Sequence, residues 1–116
     1  MLESTSSARI VLTTASNREE AASLGRALIE ERLIACASII PGAQSIYRWR
    51  EKIESSAEFL LLLKTEIDCL PALEARLHEM HSYETPEFLV LSVEAGSQPY
   101  LAWLQACLHG QASREE

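Results

Sequence analysis

The run Glu58-Phe59-Leu60-Leu61-Leu62-Leu63-Lys64-Thr65 decides the fold. Its apolar residues are consecutive rather than alternating, so it reads as a strand with both faces buried. Just upstream, Leu33 to Ile40 is apolar and strand-like, Pro41-Gly42 interrupts, and Gln44 to Arg50 resumes with the β-formers Ile46, Tyr47 and Trp49. That pattern predicts one long kinked strand. Glu51 to Ser56 reads as a polar connection between the two.

Further out on the N-terminal side, Arg9 to Thr14 is rich in β-branched residues and reads as a first strand. Ser16-Asn17-Arg18-Glu19 has capping-box spacing, with Ser16 as the N-cap. The helix that follows lines up Ala21, Leu24, Gly25 and Leu28, and Gly25 would let it sit close to a sheet. On the C-terminal side, Asp68 is placed to cap a second helix with Pro71 in its first turn and Leu70, Leu73, Leu77 and Met80 as its apolar stripe. Pro86 opens a fourth strand, Phe88 to Val93. Ser97 and Pro99 start a last helix that reaches about His109, with Leu101, Leu104 and Leu108 along one side.

The order βαββαβ followed by α predicts an α+β fold, a ferredoxin-like sandwich whose four-stranded antiparallel sheet carries helices on one face. The segments Phe59 to Leu63 and Phe88 to Leu91 then leave an apolar surface on the other face. Self-association is the simplest way to bury it.

A chain of 116 residues with 47% hydrophobic content is expected to form one domain, over residues 9–109. Residues 1–8 lack the basic and apolar regions of a signal peptide and are expected to be a disordered tail, and residues 110–116 a polar one. The formal charge of -7 argues against polyanionic partners, so neither nucleic acid nor an anionic membrane is expected. No apolar run approaches the roughly 20 residues of a membrane-spanning helix. Cys36, Cys69 and Cys107 are an odd count without C-x-x-C spacing, which points to reduced thiols and a cytoplasmic setting.

From Ala35-Cys36-Ala37-Ser38-Ile39-Ile40-Pro41-Gly42 onward the chain resembles the CutA divalent-cation tolerance family. The resemblance continues through Ser45, Tyr47, Trp49, Glu58, Lys64-Thr65, His81-Ser82-Tyr83-Glu84-Thr85-Pro86-Glu87 and Tyr100 to Leu104, and covers about Arg9 to Leu108. It implies a ferredoxin-like homotrimer whose long second and third strands pair across subunits, linked in bacteria to tolerance of copper and other divalent cations. Two positions depart from the family pattern. Glu51 stands where glycine is usual, and Ser82 where proline is usual. Some members carry a cysteine where Thr13 stands and a second histidine where Met80 stands.

The chemical candidates divide in two. Tyr47, Trp49, Glu58, Lys64, Tyr83 and Glu87 match family positions that lie around clefts between subunits, where an aromatic wall with both charge signs could hold a small polar ligand or satisfy its own polar groups. Cys36 and His81 are the candidate ligands for copper or another divalent cation, since thiolate suits Cu(I) and imidazole Cu(II). His78 and His81 share H-x-x-H spacing, yet His78 falls off the apolar stripe and reads as solvated. No G-x-S-x-G, H-E-x-x-H or phosphate-cradling glycine loop is present, and a Glu58 and Glu87 acid–base pair has no other support. An RNA-recognition module shares the element order but needs stacking aromatics where this chain has a leucine run. The expectation is a non-enzymatic trimer tied to divalent-cation tolerance with no required cofactor. The alternative is a trimeric small-molecule-binding or signalling module that uses the inter-subunit cleft.

Overall fold

The computed structural model describes residues 1–3 and 6–110. The chain runs β1 (Leu2–Glu3), β2 (Ala8–Ala15), α1 (Arg18–Glu30), β3 (Cys36–Trp49), β4 (Lys52–Glu66), a 3-10 turn (Ile67–Cys69), α2 (Leu70–Met80), β5 (Leu89–Ser92), β6 (Gly96–Ser97) and α3 (Gln98–Leu108). It is an α+β fold with three helices and a four-stranded antiparallel sheet in the order β3-β4-β2-β5.

Side chains alternate across a strand, and directly paired residues of an antiparallel sheet share a face. Val11 pairs with Leu63, and Thr13 with Leu61, which sets the helix-covered face. There Val11, Leu61 and Leu63 pack with Leu24 and Leu28 of α1 and Leu73 and Leu77 of α2 in one fully buried cluster. Gly25 brings α1 against the sheet as its spacing predicts, because a Cβ built there would lie 3.0 Å from that of Ala37. The opposite face carries Ile10, Leu12, Leu60 and Leu62, all half-buried, with Ile40, Leu89 and Leu91 exposed beside them. So the leucine run is covered on one side only within a single chain. α3 packs at the end of the sheet, where Leu104 and Leu108 enclose Ala35.

The kink in β3 is a β-bulge. Ile40 pairs with Leu60 and Ala43 with Glu58, so Pro41 and Gly42 together face Phe59, and Gly42 takes the left-handed backbone (φ 82°) that such a bulge favours. The polar connection expected over Glu51 to Ser56 is instead strand. Trp49 pairs with Lys52, and the turn is only Arg50-Glu51, both with positive φ (51° and 70°), the signature of a type I′ hairpin. This turn lacks the Asn-Gly or Asp-Gly that normally announces it, and Glu51 occupies the position where the family pattern has glycine.

Four other expectations shift. The cap of α1 is Asn17 rather than Ser16: its side chain accepts the Glu20 amide at 2.8 Å, while Glu20 Oε1 accepts the amide of Ser16, one residue before the cap, at 3.3 Å, so the return bond of a capping box is offset. Asp68 falls in the 3-10 turn and gives α2 no cap bond, while Pro71 does sit in the first turn of that helix. The fourth strand is shorter than expected, beginning at Leu89. Finally, the predicted structureless segment 1–8 does not hold for Leu2–Glu3, which pair with Gly96–Ser97. The polar tail expected over 110–116 lies outside the described residues except for Gly110.

Candidate ligand-binding depression

Because the β3–β4 hairpin extends far beyond the helices, its outer half presents side chains that no helix covers. Ser45, Tyr47 and Trp49 pair with Ser56, Glu54 and Lys52, and these residues share the face that Glu58 and Leu60 occupy farther along β4. The segment that follows α2 crosses this face near Glu58. Together they enclose a depression of about 750 Å³ lined by Tyr47, Trp49, Glu54, Glu58, Tyr83 and Glu87, with Thr14, Ser45, Ile46, Glu84 and Thr85 completing the wall.

A hydrogen-bond relay fixes the inner wall. The imidazole of His81, wholly enclosed, donates from Nε2 to the Thr14 carbonyl at 2.7 Å and accepts the Tyr83 amide on Nδ1 at 3.0 Å. Those two partners assign the neutral Nε2–H tautomer. The Tyr83 ring lies 4.7 Å from the imidazole, centroid to centroid, and its hydroxyl donates to Glu58 Oε2 at 2.6 Å. Burial and that bond to the Glu58 carboxylate push the Tyr83 phenol well above its usual range, so it stays a donor. On the outer wall, Tyr47 Oη and Ser56 Oγ are 2.7 Å apart. Behind the relay, Glu20 Oε2 accepts the Ser82 amide at 2.9 Å, a bond that the family's proline at this position could not donate. Burial raises the Glu20 carboxyl, but the Ser82 and Ser16 hydrogen bonds outweigh it and hold the carboxyl below its ordinary range.

Five of the six residues singled out in the sequence therefore meet around one depression. Lys64 does not. It lies six residues along β4 from Glu58, roughly 20 Å in an extended strand, and its Nζ donates to Ser38 Oγ at 3.2 Å. Nor are Cys36 and His81 brought together. Cys36 stands opposite Lys64, whereas Thr14, the partner of His81, stands opposite Leu60, about 13 Å away along the strand. With both ring nitrogens of His81 engaged by backbone, these residues do not fit one copper ion. Among the described residues no group of three or more His, Cys, Asp or Glu side chains is placed to hold a metal. His78 is exposed, as its helical position predicts.

Glu54 carries no signal in the sequence, because neither Arg50 nor Glu51 is a residue that marks a tight turn. Once Trp49 and Lys52 are paired, Glu54 must face Tyr47. Ser45, Glu84 and Thr85 belong to the family-like motifs but carried no separate signal.

The sequence profile of CutA1 divalent ion tolerance proteins matches residues 9–107. The chain belongs to the CutA1 family. A divalent-cation tolerance protein CutA from Thermus thermophilus is 42% identical over 83% of this chain and 93% of its own. Among solved structures, CutA from Synechococcus elongatus superposes with a TM-score of 0.89 at 41% identity, covering 93% of this chain and 96% of that one. The same CutA complexed with a Bis-Tris molecule gives 0.85 at 40% identity, covering 92% and 99%. Among the described residues of this CutA1 member, no helix is long and apolar enough to cross a membrane.

Proposed function

We propose that this CutA1 member is a non-enzymatic cytoplasmic homotrimer of ferredoxin-like subunits that serves divalent-cation tolerance by holding a small polar molecule in the depression between Tyr47, Trp49, Glu58, Tyr83 and Glu87. One observation carries the reading: a relay from Thr14 through His81 and Tyr83 to Glu58 preorganises one wall of a concave, aromatic-lined site. The strand order β3-β4-β2-β5 supports the ferredoxin-like assignment. The uncovered Ile10, Leu12, Leu60, Leu62, Leu89 and Leu91 support the trimer, since association would bury them and set the open side of the depression against a neighbouring subunit. The Bis-Tris complex of the Synechococcus relative supports a small polar occupant. Cys36, Cys69 and Cys107, an odd count without C-x-x-C spacing, support a reducing compartment.

A thermal-shift panel of small cationic, neutral and anionic polar molecules, with Cu(I), Cu(II) and other divalent ions as separate arms, tests the reading. A ligand at 100 times its Kd stabilises the native state by about 2.7 kcal/mol. At least one organic molecule should raise the melting temperature of the wild type and fail to do so for Trp49→Ala. A rise with copper alone, equal in both proteins, would place the tolerance function in metal binding outside the depression.

A further inference from the structure

We infer that the molecule this depression takes is a protonated organic amine, anchored by its N–H on Glu58 Oε1; the inference rests on reading the depression as a ligand site. Two glutamates of the described residues are more than nine-tenths buried, Glu58 at 8% exposure and Glu66 at 4%. Their surroundings differ. Glu66 uses both oxygens, accepting Ser7 Oγ–H on Oε2 at 3.0 Å and meeting His109 Nε2 from Oε1 at 3.1 Å. Glu58 has the neutral Tyr83 hydroxyl on Oε2, and no hydrogen bond reaches Oε1 from the described residues. None of the ion pairs among those residues includes it. Oε1 is not among the buried, unpartnered side-chain atoms of the described residues, so it stays open to the depression whose wall Glu58 lines, where a donor carrying positive charge can reach it.

The rest of the wall narrows the class. Glu54, Glu84 and Glu87 add negative charge around the depression, and among the described residues neither lysine nor arginine lines it, which disfavours anions. A bare metal ion needs converging donors, and no group of three or more candidate side chains converges among the described residues. Separated carboxylates instead suit a molecule that carries an ammonium at one point and hydroxyl donors at others. Tyr47 adds aromatic surface that attracts an organic cation, and Trp49, one face of which carries the Arg50 guanidinium 5.6 Å from its centroid, adds apolar surface that covers its methylenes.

Isothermal titration of the full chain with triethanolammonium and with trimethylolpropane, an uncharged triol of similar size, tests the inference. A charge-assisted hydrogen bond is worth a factor of about ten to a hundred in affinity. Triethanolammonium should bind at one per subunit, trimethylolpropane at least about tenfold more weakly, and Glu58→Gln should weaken the ammonium by a similar factor. The comparison of the two ligands on the wild type needs no variant to fold. Equal binding of both ligands would overturn the amine assignment, as would undiminished binding to Glu58→Gln. Binding of neutral or anionic molecules without triethanolammonium would leave the depression a ligand site and remove only its amine specificity. Failure of every organic molecule to bind would overturn both.

Discussion

Thr13 and Thr65 offer a paired test of the core. Both side chains are fully buried on the helix-covered face, at 0% exposure, in the adjacent strands β2 and β4. Thr65 Oγ1 donates to the Leu33 carbonyl at 2.7 Å, whereas Thr13 Oγ1 has no partner among the described residues. Valine has the same branched shape, so Thr→Val exchanges a hydroxyl for a methyl with little repacking. At Thr13 the change removes a desolvated, unpaired hydroxyl, a gain of about 1–3 kcal/mol. At Thr65 it leaves the Leu33 carbonyl without that donor, a loss of about 1–2 kcal/mol. With an unfolding entropy of about 2.1 cal/mol/K per residue, 116 residues give about 0.24 kcal/mol/K, so each kcal/mol moves the melting temperature by about 4 °C. Calorimetry at matched protein concentration should show Thr13→Val melting about 4–12 °C higher than wild type and Thr65→Val about 4–8 °C lower. Equal signs for the two, or a fall for Thr13→Val, would refute the assignment of the orphan hydroxyl.

The hairpin turn, α1 and the uncovered sheet face supply three more predictions. Glu51→Gly should raise stability by about 1 kcal/mol in chemical denaturation, because glycine relieves a left-handed backbone at φ 70° but gives back part of the gain as unfolded-state entropy. The folded Glu20 carboxyl titrates below its ordinary value of 4.5, so its contribution is present above that value and disappears as pH falls through the lowered one. The melting temperatures of wild type and Glu20→Gln should therefore differ near neutrality and converge in acid. Leu62 belongs to the uncovered face and Leu61 to the core, so light scattering should find Leu62→Asp folded but dissociated, while Leu61→Asp fails to fold; a full trimer for Leu62→Asp would contradict the assignment of that face.

Element order and the helix stripes were legible because each rests on local periodicity. Ala21, Leu24, Gly25 and Leu28 in α1, and Leu73 and Leu77 in α2, are buried as their spacing requires. Turn chemistry was less legible. Arg50-Glu51 adopts a conformation that neither residue prefers, and the long pairing of β3 with β4 imposes it against local propensity. The cap moved from Ser16 to Asn17 because the two are nearly equivalent as caps and the Glu20 contact with Ser82, distant in sequence, favours one register. At the depression, Tyr47, Trp49, Glu58, Tyr83 and Glu87 were found through family-like motifs, while Lys64 and Cys36 share those motifs but lie at the opposite end of the sheet. A motif preserves order along the chain. Only strand register shows which of its members meet.

The most direct test of the ligand site uses the chain's own two tryptophans, Trp49 in the depression and Trp103 on α3. Nitrogen-15 spectra of the indole groups, recorded during titration with triethanolammonium, report each site separately. The Trp49 indole resonance should shift saturably while that of Trp103 stays in place. A static Trp49 resonance across the titration, or a shift confined to Trp103, would contradict binding in the depression.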